Sequence, residues 1–466
     1  MKLLVSQQNF MCASYKVKAM KKFAFLFVPM FMVLSNPLTG QSQIDFRDKI
    51  AKALKSGKLL WQFSNPDEVI NILGKPLDQE TKISGGLEIL TYQYSSDFAI
   101  EFHRYIDFSD RHFALSVYTA DGNRTGISLG EFLQPRNLDD IRKIDPFYGL
   151  SNVNLSKIDL RSSKDILLTC KFSTSTIWPP KRRLPKDFDP HNILNTAKNP
   201  GLGISKLHTL GLDGRDVDIA IIDQPILSTH YEYKDNLKMI VDLTDGSYPP
   251  QMHASLVVSI AVGKTCGVAP NANVYYFSVP FEETNLGFIQ AIRNVMELNE
   301  RGIANIKVIS ISTGRFELWS QFIEFQHIVS LAESKGILLL TCAKSFSNIT
   351  NPPMSNLGII RPRLIDKLES PSDFEIGSYS DGTETLLIPS DCRTYASHIN
   401  NDIYIYSARG GRSNAPPWLA GLVAIGFQVN PHLSVGEIKT KLLDTAWKMP
   451  YGTVVNPIAF INSCKT

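Results

Sequence analysis

The sequence predicts an α/β fold over its second half, a mostly parallel sheet with helices on both faces, preceded by a smaller α+β region. The first observation is that, after about residue 195, short β-branched runs alternate with apolar helical stretches. Strands that alternate with helices in this way form parallel sheets covered on both faces. The second observation is the helix after Pro417, which is apolar all round and is therefore expected to be buried.

Each element of the second half has its own signal. A β-branched run from Val217 to Ile222 leads into Asp223 and predicts the first strand. Residues 434–437 form a capping box, which predicts the start of a late helix. Further strands are predicted at 274–279, 308–312 and 337–342, and further helices at 254–262, 288–298 and 322–332.

The first half gives weaker signals. Helices are predicted from Asp45 to Leu54 and from Pro66 to Leu73, and strands at 87–94, 98–103 and 112–118. The Pro-rich basic segment Trp178–Pro185 is predicted to be a linker. We therefore divide the chain into residues 1–42, residues 43–190 and residues 191–466.

Residues 1–42 are predicted to contain an upstream extension and a signal peptide. Lys21 and Lys22 precede an uncharged apolar run from Phe23 to Leu34, and small residues follow it. This is the order of a secretory signal, which begins more naturally at Met20 than at Met1. We expect an exported chain, secreted or periplasmic, with no stable membrane span after signal removal. The alternative is an N-terminal membrane anchor.

Composition excludes some function classes. The chain is 43% hydrophobic and 20% charged with a net charge of +3, so no nucleic-acid partner is expected. The cysteines are scattered without metal-ligand spacing, and one or two disulfides are compatible with them. We predict no metal site and no cofactor; calcium stays open, but no carboxylate loop in the sequence supports a site for it. The sequence does not indicate an oligomeric state.

Three residues fall at the edge of the sheet where parallel α/β folds place their sites. Asp223 ends the first strand, His253 opens the next helix and Ser413 precedes the buried helix. A carboxylate that orients a histidine, which in turn takes the proton of a serine, makes that hydroxyl nucleophilic. The simpler interpretation of Ser413 alone is a helix cap.

Residues 195–465 resemble a subtilase, a subtilisin-like serine peptidase. Asp218 to Asp223 is similar to the strand that delivers the aspartate of that family, and His253-Ala-Ser-Leu-Val-Val resembles its histidine helix. Gly267 to Ala272 is similar to its Gly-Val-Ala-Pro-x-Ala turn, and Gly411-Arg-Ser-Asn-Ala-Pro-Pro417 resembles Gly-Thr-Ser-Met-Ala-x-Pro. The resemblance implies catalytic Asp223, His253 and Ser413. It also implies that polypeptide substrates bind along Ser312, Thr313 and Gly314.

The sequence also departs from the family pattern. Gln224 replaces a hydroxyl residue that follows the aspartate, and Leu256 replaces a second histidine. When the strand that ends near residue 345 is aligned with the corresponding motif of the family, Ser345 takes the position of the asparagine that donates a hydrogen bond to the oxyanion. Asn348, in the same loop, is the other candidate for this donor. Loss of such a donor costs about a hundredfold to a thousandfold in turnover.

The leading hypothesis is an exported serine endopeptidase with an Asp-His-Ser triad. The competing hypothesis is a subtilase-fold binding module with weak or no catalysis, favoured by the change at Ser345. Acyl transfer other than hydrolysis stays open. Residues 43–190 are either an accessory region or a propeptide, and a propeptide would be cut near residues 180–200.

Overall fold

The computed structural model describes residues 46–105, 114–119 and 149–465. Short gaps within these ranges are residues 57, 60–63, 85–86, 96–97, 152, 245, 247–249, 281–283, 315, 317–319, 344–353 and 378–379. The predicted signal peptide lies outside the described residues. Within the described ranges, no helix is both long and apolar enough to cross a membrane.

Residues 46–119 contain, in their described part, two helices and a four-stranded antiparallel sheet of order β1-β2-β3-β4. The elements are α1 (Phe46–Lys55), α2 (Pro66–Leu73), β1 (Asp78–Ser84), β2 (Leu87–Ser95), β3 (Phe98–Tyr105) and β4 (Ala114–Thr119). Alternate residues of β2 and β3, among them Tyr92 and Phe102, pack with Ile50 and Val69 of the helices. Strand β1 has no counterpart among the predicted elements because it is a polar edge strand without apolar alternation.

Residues 149–217 form short elements that pack around buried aromatic side chains. These are α3 (Lys164–Leu167), β5 (Lys171–Ser173), a 3-10 turn (Lys181–Arg183), α4 (Pro190–Thr196) and α5 (Ile204–Thr209). The segment predicted as a linker is packed: the Trp178 ring lies 5.3 Å from that of Phe172 and 5.5 Å from that of Phe188. The prolines therefore shape a fixed turn here, and do not mark a free connection.

The predicted parallel sheet is present, with strand order β10-β9-β6-β8-β7 and parallel pairing throughout. Its strands are β6 (Asp218–Asp223), β7 (Leu237–Asp242), β8 (Asn273–Ser278), β9 (Ile306–Ile311) and β10 (Leu338–Thr341). The helices between them are α6 (Met252–Val262), α7 (Leu286–Glu300) and α8 (Phe322–Ser334).

The remaining elements follow this sheet. They are β11 (Leu357–Pro362), a 3-10 turn (Pro371–Asp373), β12 (Phe374–Ile376), β13 (Leu386–Pro389), β14 (Arg393–Ala396), β15 (Tyr404–Ser407), a second 3-10 turn (Arg412–Asn414), α9 (Ala415–Val429), α10 (Val435–Asp444), β16 (Trp447–Met449), β17 (Gly452–Val454) and α11 (Pro457–Cys464). Two further sheets have the orders β12-β11-β13-β17-β16 and β14-β15-β5.

Helices cover both faces of the parallel sheet. Ile219 and Ile221 of β6 belong to a core that also contains α6 and α9, whereas Ala220 and Ile222 belong to a core that contains α7 and α8. Two buried faces explain why the strand sequences are continuously apolar. The predicted burial of α9 is confirmed from Ala415 to Phe427.

Gly421 allows α9 to pack closely against α6. A Cβ atom on Gly421 would lie 2.7 Å from the Cβ of Val268 and 3.0 Å from the carbonyl oxygen of Ala261. Such a separation is too short for a side chain, so that only glycine fits at this crossing. The crossing fixes the start of α9, and with it Ser413, relative to the helix that begins near His253.

Strand β5 joins the segment after residue 149 to the second half of the chain. Phe172 pairs with Tyr406 in the antiparallel register of β5 and β15, and their ring centroids are 4.9 Å apart. The backbone N–H of Thr174 donates to the carbonyl oxygen of Tyr404 at 2.9 Å. A division of the chain at residue 190 would therefore separate two paired strands.

Candidate active site

Asp223 and His253 form a hydrogen-bonded pair at the carboxyl end of the parallel sheet. Asp223 is the last residue of β6 and His253 is the second residue of α6. The Nδ1 atom of His253 lies 2.8 Å from Oδ1 and 3.0 Å from Oδ2 of Asp223. Because an ionised carboxylate only accepts, Nδ1 carries the proton and Nε2 is left as the basic nitrogen.

The carboxylate of this pair is held from two sides. Its side chain is fully buried, whereas 23% of the His253 side chain is exposed. The backbone N–H of Gln224 donates to Oδ1 of Asp223 at 2.8 Å. The sequence suggested that Gln224 removes a stabilising hydroxyl, and the structure provides this backbone donor to the carboxylate.

The pair sets the basicity of His253. Burial of the imidazole lowers its pKa, but the charge of Asp223 and the hydrogen bond to it raise the pKa by more, so the net pKa of His253 is above its ordinary value. A histidine with a raised pKa is a stronger base once it has lost its proton. The geometry therefore suits proton abstraction at neutral or mildly alkaline pH.

We expect the acid limb of kcat/KM for a peptide substrate to have its midpoint above pH 6.5, the ordinary value for histidine. Only neutral His253 accepts a proton, and its raised pKa moves the loss of activity on acidification to higher pH. In Asp223→Asn both the midpoint pH of this acid limb and the value of kcat/KM are expected to fall. Initial rates measured between pH 5 and pH 10 check this. A wild-type midpoint at or below pH 6.5 would contradict it.

Ser413 lies in a 3-10 turn directly before α9, and this turn contacts α6. The residue is half-buried. Asn414, not Ser413, is the N-cap of α9, and it makes no side-chain cap bond, so the simple cap interpretation does not account for Ser413.

The turn that contains Ser413 is tied to the residues between β13 and β14. The backbone N–H of Gly410 donates to Oδ1 of Asp391 at 2.5 Å. Ser390 contributes twice: its hydroxyl donates to the carbonyl oxygen of Gly411 at 3.1 Å, and its own carbonyl oxygen accepts from Nδ2 of Asn414 at 3.3 Å. These bonds fix the backbone on both sides of Ser413.

Ser312, Thr313 and Gly314 directly follow β9, which is the neighbour of β6. Ile222 pairs with Ile311, so that the segment leaves the sheet at the same edge as Asp223. The carbonyl oxygen of Thr313 accepts a hydrogen bond from the hydroxyl of Thr341 at 2.6 Å. Ser312 is buried, and the other two residues are half-buried. The structure thus places the predicted substrate-binding segment beside the pair.

Ser345 and Asn348, the predicted oxyanion donors, lie outside the described residues. The flanking residue Ala343 is buried at the end of β10. Within the described ranges, no cluster of His, Cys, Asp or Glu side chains forms a metal site. The five described cysteines are all free thiols, so the disulfides considered from the sequence are not formed in this part of the chain.

Two residues of the site were not identified from the sequence. The guanidinium of Arg412 donates to the carbonyl oxygen of Leu357 at 3.0 Å and to Oδ1 of Asn356 at 2.6 Å. Asn356 has a left-handed backbone, with φ of 59°. The sequence carried one signal for Arg412: it stands where the motif Gly-Thr-Ser-Met-Ala-x-Pro has threonine.

Comparisons with known proteins give a family match and several distant similarities. Residues 214–351 match the model of the subtilase family. Subtilisin DY from Bacillus licheniformis is 24% identical over 262 residues, which cover 53% of this chain and 89% of the subtilisin. Among solved structures, a chain from the subtilase cytotoxin SubAB is 17% identical with a TM-score of 0.48, over 57% of this chain and 95% of the other. The A-subunit of the AB5 toxin from E. coli gives the same identity and TM-score, over 57% and 98%.

Proposed function

We propose that this chain, which carries a subtilase-family domain matched over residues 214–351, is an exported serine endopeptidase. The observation that carries the proposal is the pair of His253 and Asp223, with Nδ1 at 2.8 Å from Oδ1. A histidine held in this way by a buried carboxylate at a sheet edge is the base that a serine nucleophile requires. Ser413, in a turn that packs on the same helix, is the nucleophile.

In the proposed reaction, each proton that leaves one group is taken up by another. The Oγ of Ser413 attacks the peptide carbonyl carbon, and its proton passes to Nε2 of His253. Asp223 stabilises the imidazolium, which then gives that proton to the leaving amine. A water molecule, deprotonated by His253, then attacks the carbonyl carbon of the acyl-enzyme. As the bond to Oγ of Ser413 breaks, His253 returns that proton to Oγ and the carboxylic acid product is released.

The negative charge on the substrate oxygen needs hydrogen-bond donors. One is the backbone N–H of Ser413, which lies near the N-terminus of α9, where backbone N–H groups and the helix dipole favour negative charge. Ser345 or Asn348 is the second donor under this proposal. The substrate backbone lies along Ser312, Thr313 and Gly314 as an added strand. No metal or cofactor has a part in these steps.

A binding module is the second candidate. It is favoured by Ser345, which replaces an asparagine in the resembling motif. In that case polypeptides would bind at the same edge without being cleaved.

Hydrolysis of an unstructured protein separates the two functions. We expect the purified full chain, after removal of its signal, to release peptides from fluorescein-labelled casein, and Ser413→Ala to release none above background. Proteolysis that persists in Ser413→Ala would show a contaminating or different activity. A folded wild-type protein that binds casein without cleaving it would favour the binding module.

A further inference from the structure

The guanidinium of Arg412 connects the 3-10 turn of residues 412–414, called the nucleophile turn below, to the residues at the start of β11. Arg412 directly precedes Ser413 and is half-buried. Its Nε donates to the carbonyl oxygen of Leu357 at 3.0 Å, and its Nη2 donates to Oδ1 of Asn356 at 2.6 Å. A guanidinium presents its donors in a rigid fork, so that two such bonds fix both its position and its direction.

Asn356 is itself firmly held. Its backbone N–H donates to the carbonyl oxygen of Ala343 at 2.9 Å, and its carbonyl oxygen accepts from the N–H of Thr385 at 3.2 Å. The residue is only 8% exposed and has φ of 59°, a conformation that asparagine tolerates better than most residues. Asn356 therefore links the end of β10 to the start of β11, and its side chain is a fixed acceptor for Arg412.

The nucleophile turn needs such support because its own bonding is sparse. Within the turn, the backbone N–H of Asn414 donates to the carbonyl oxygen of Gly411 at 3.0 Å. Ser390 and Asp391 support one side through their bonds to residues 410–414. Arg412 reaches other elements, at Asn356 and Leu357, so that the turn is held between two groups of bonds.

We propose that Arg412 is a positioning residue, which holds Ser413 in place relative to the ends of β10 and β11 through its bonds to Asn356 and Leu357. The inference rests on the proposed function, because positioning matters for catalysis only if Ser413 is the nucleophile. A misplacement of about 1 Å in a catalytic group lowers the rate by about a hundredfold. Threonine, which the resembling motif has here, is too short to reach an acceptor in this way.

The test uses four single variants of the full chain and one double variant, Arg412→Ala/Asn356→Gly. Arg412→Ala removes both bonds, and Arg412→Lys keeps the charge but loses the fork. Asn356→Gly removes one acceptor and tolerates the left-handed backbone. Arg182→Ala is the matched control, because Arg182 is an exposed arginine outside the site. Each variant is measured for Tm, for kcat and KM on a peptide substrate, and for hydrogen exchange of the peptide covering residues 408–418.

We expect Arg412→Ala to lower kcat by about 10-fold to 100-fold with KM nearly unchanged, and to speed exchange in residues 408–418. Asn356→Gly is expected to lower kcat and to speed exchange as well. Because the two residues share one hydrogen bond, the double variant Arg412→Ala/Asn356→Gly is expected to lose clearly less than the product of the two single losses. The kcat and exchange rate of Arg412→Lys are expected to lie between those of wild type and Arg412→Ala. Arg182→Ala is expected to behave as wild type.

Unchanged kcat and unchanged exchange in Arg412→Ala would overturn the positioning role. A fall in Tm alone, with normal kcat in the folded protein, would also overturn it, since that outcome describes a purely structural arginine. If Arg412→Ala does not fold, kcat and hydrogen exchange of Asn356→Gly provide the same test of the positioning role. Failure of the proposed function is distinct: wild type would not cleave peptides, while exchange in residues 408–418 would still decide whether Arg412 holds the turn.

Discussion

Ser413→Ala and His253→Ala are each expected to lower kcat by about a million-fold, and the double variant is expected to lose no more than either alone. Under the proposed mechanism the two residues act as one unit, because His253 takes the proton of Ser413 and the attack does not proceed without that transfer. What activity is left comes from substrate binding and the oxyanion donors.

The measurement is kcat on a peptide substrate for the two single variants and the double variant. His432→Ala is the control, because His432 is exposed and lies outside the site. Circular dichroism and Tm establish that each variant is folded. Additive losses in the double variant, or a His253→Ala variant with more than a few per cent of wild-type kcat, would contradict a shared mechanism.

Removal of residues 1–190 is expected to abolish folding, whereas removal of residues 1–148 is expected to leave a cooperative thermal transition. The longer deletion removes β5, which pairs with β15 six residues before Ser413. It also removes Phe172, which is fully buried and packs on Tyr406. Within the described ranges, no backbone hydrogen bond joins residues 46–119 to the rest of the chain, although their apolar side chains share a core with residues 150–197. The shorter deletion is therefore expected to lower Tm without abolishing the transition.

The two deletions are compared by soluble yield and by Tm. Substitution of Phe172 by alanine in the full chain is a smaller version of the same test, with an expected loss of about 3–5 kcal/mol, as is typical for a buried phenylalanine. A soluble, cooperatively folded protein that begins at residue 191 would contradict the expectation. It would support instead a propeptide removed near residues 180–200.

The parallel sheet was predictable because its signals are local. Ile219 to Ile222 is apolar at every position, which is typical of a strand buried on two faces, and the structure places this strand in the centre of the sheet. The capping box of Ser434 and Glu437 is formed as predicted, because its two hydrogen bonds join residues only three apart. Such features depend on neighbouring residues and need no knowledge of the whole fold.

The support around the site was not predictable because its contacts join distant residues. Strand β5 has three residues, too few for a clear pattern, and its partner lies more than 230 residues later. Arg412 and Asn356 are 56 positions apart. Trp178 was assigned to a linker because local prolines indicate turns, although its packing on Phe172 decides the structure.

In the candidate site, too, the residues that lie in short local motifs were the ones identified from the sequence. Asp223 and His253 were identified through motifs, and the structure joins them in a hydrogen bond. The role of Ser413 as the nucleophile stays a prediction. The roles of Ser345 and Asn348 also stay predictions.

The most direct test of the central claim is the location of a fluorophosphonate adduct. This probe reacts with a serine that a neighbouring base has activated. We predict that peptide mass mapping of the folded wild-type protein finds one adduct, on Ser413, and that Ser413→Ala, His253→Ala and heat-denatured protein carry none. A folded protein without an adduct, or an adduct on another serine that persists in Ser413→Ala, would contradict the claim that Asp223 and His253 activate Ser413.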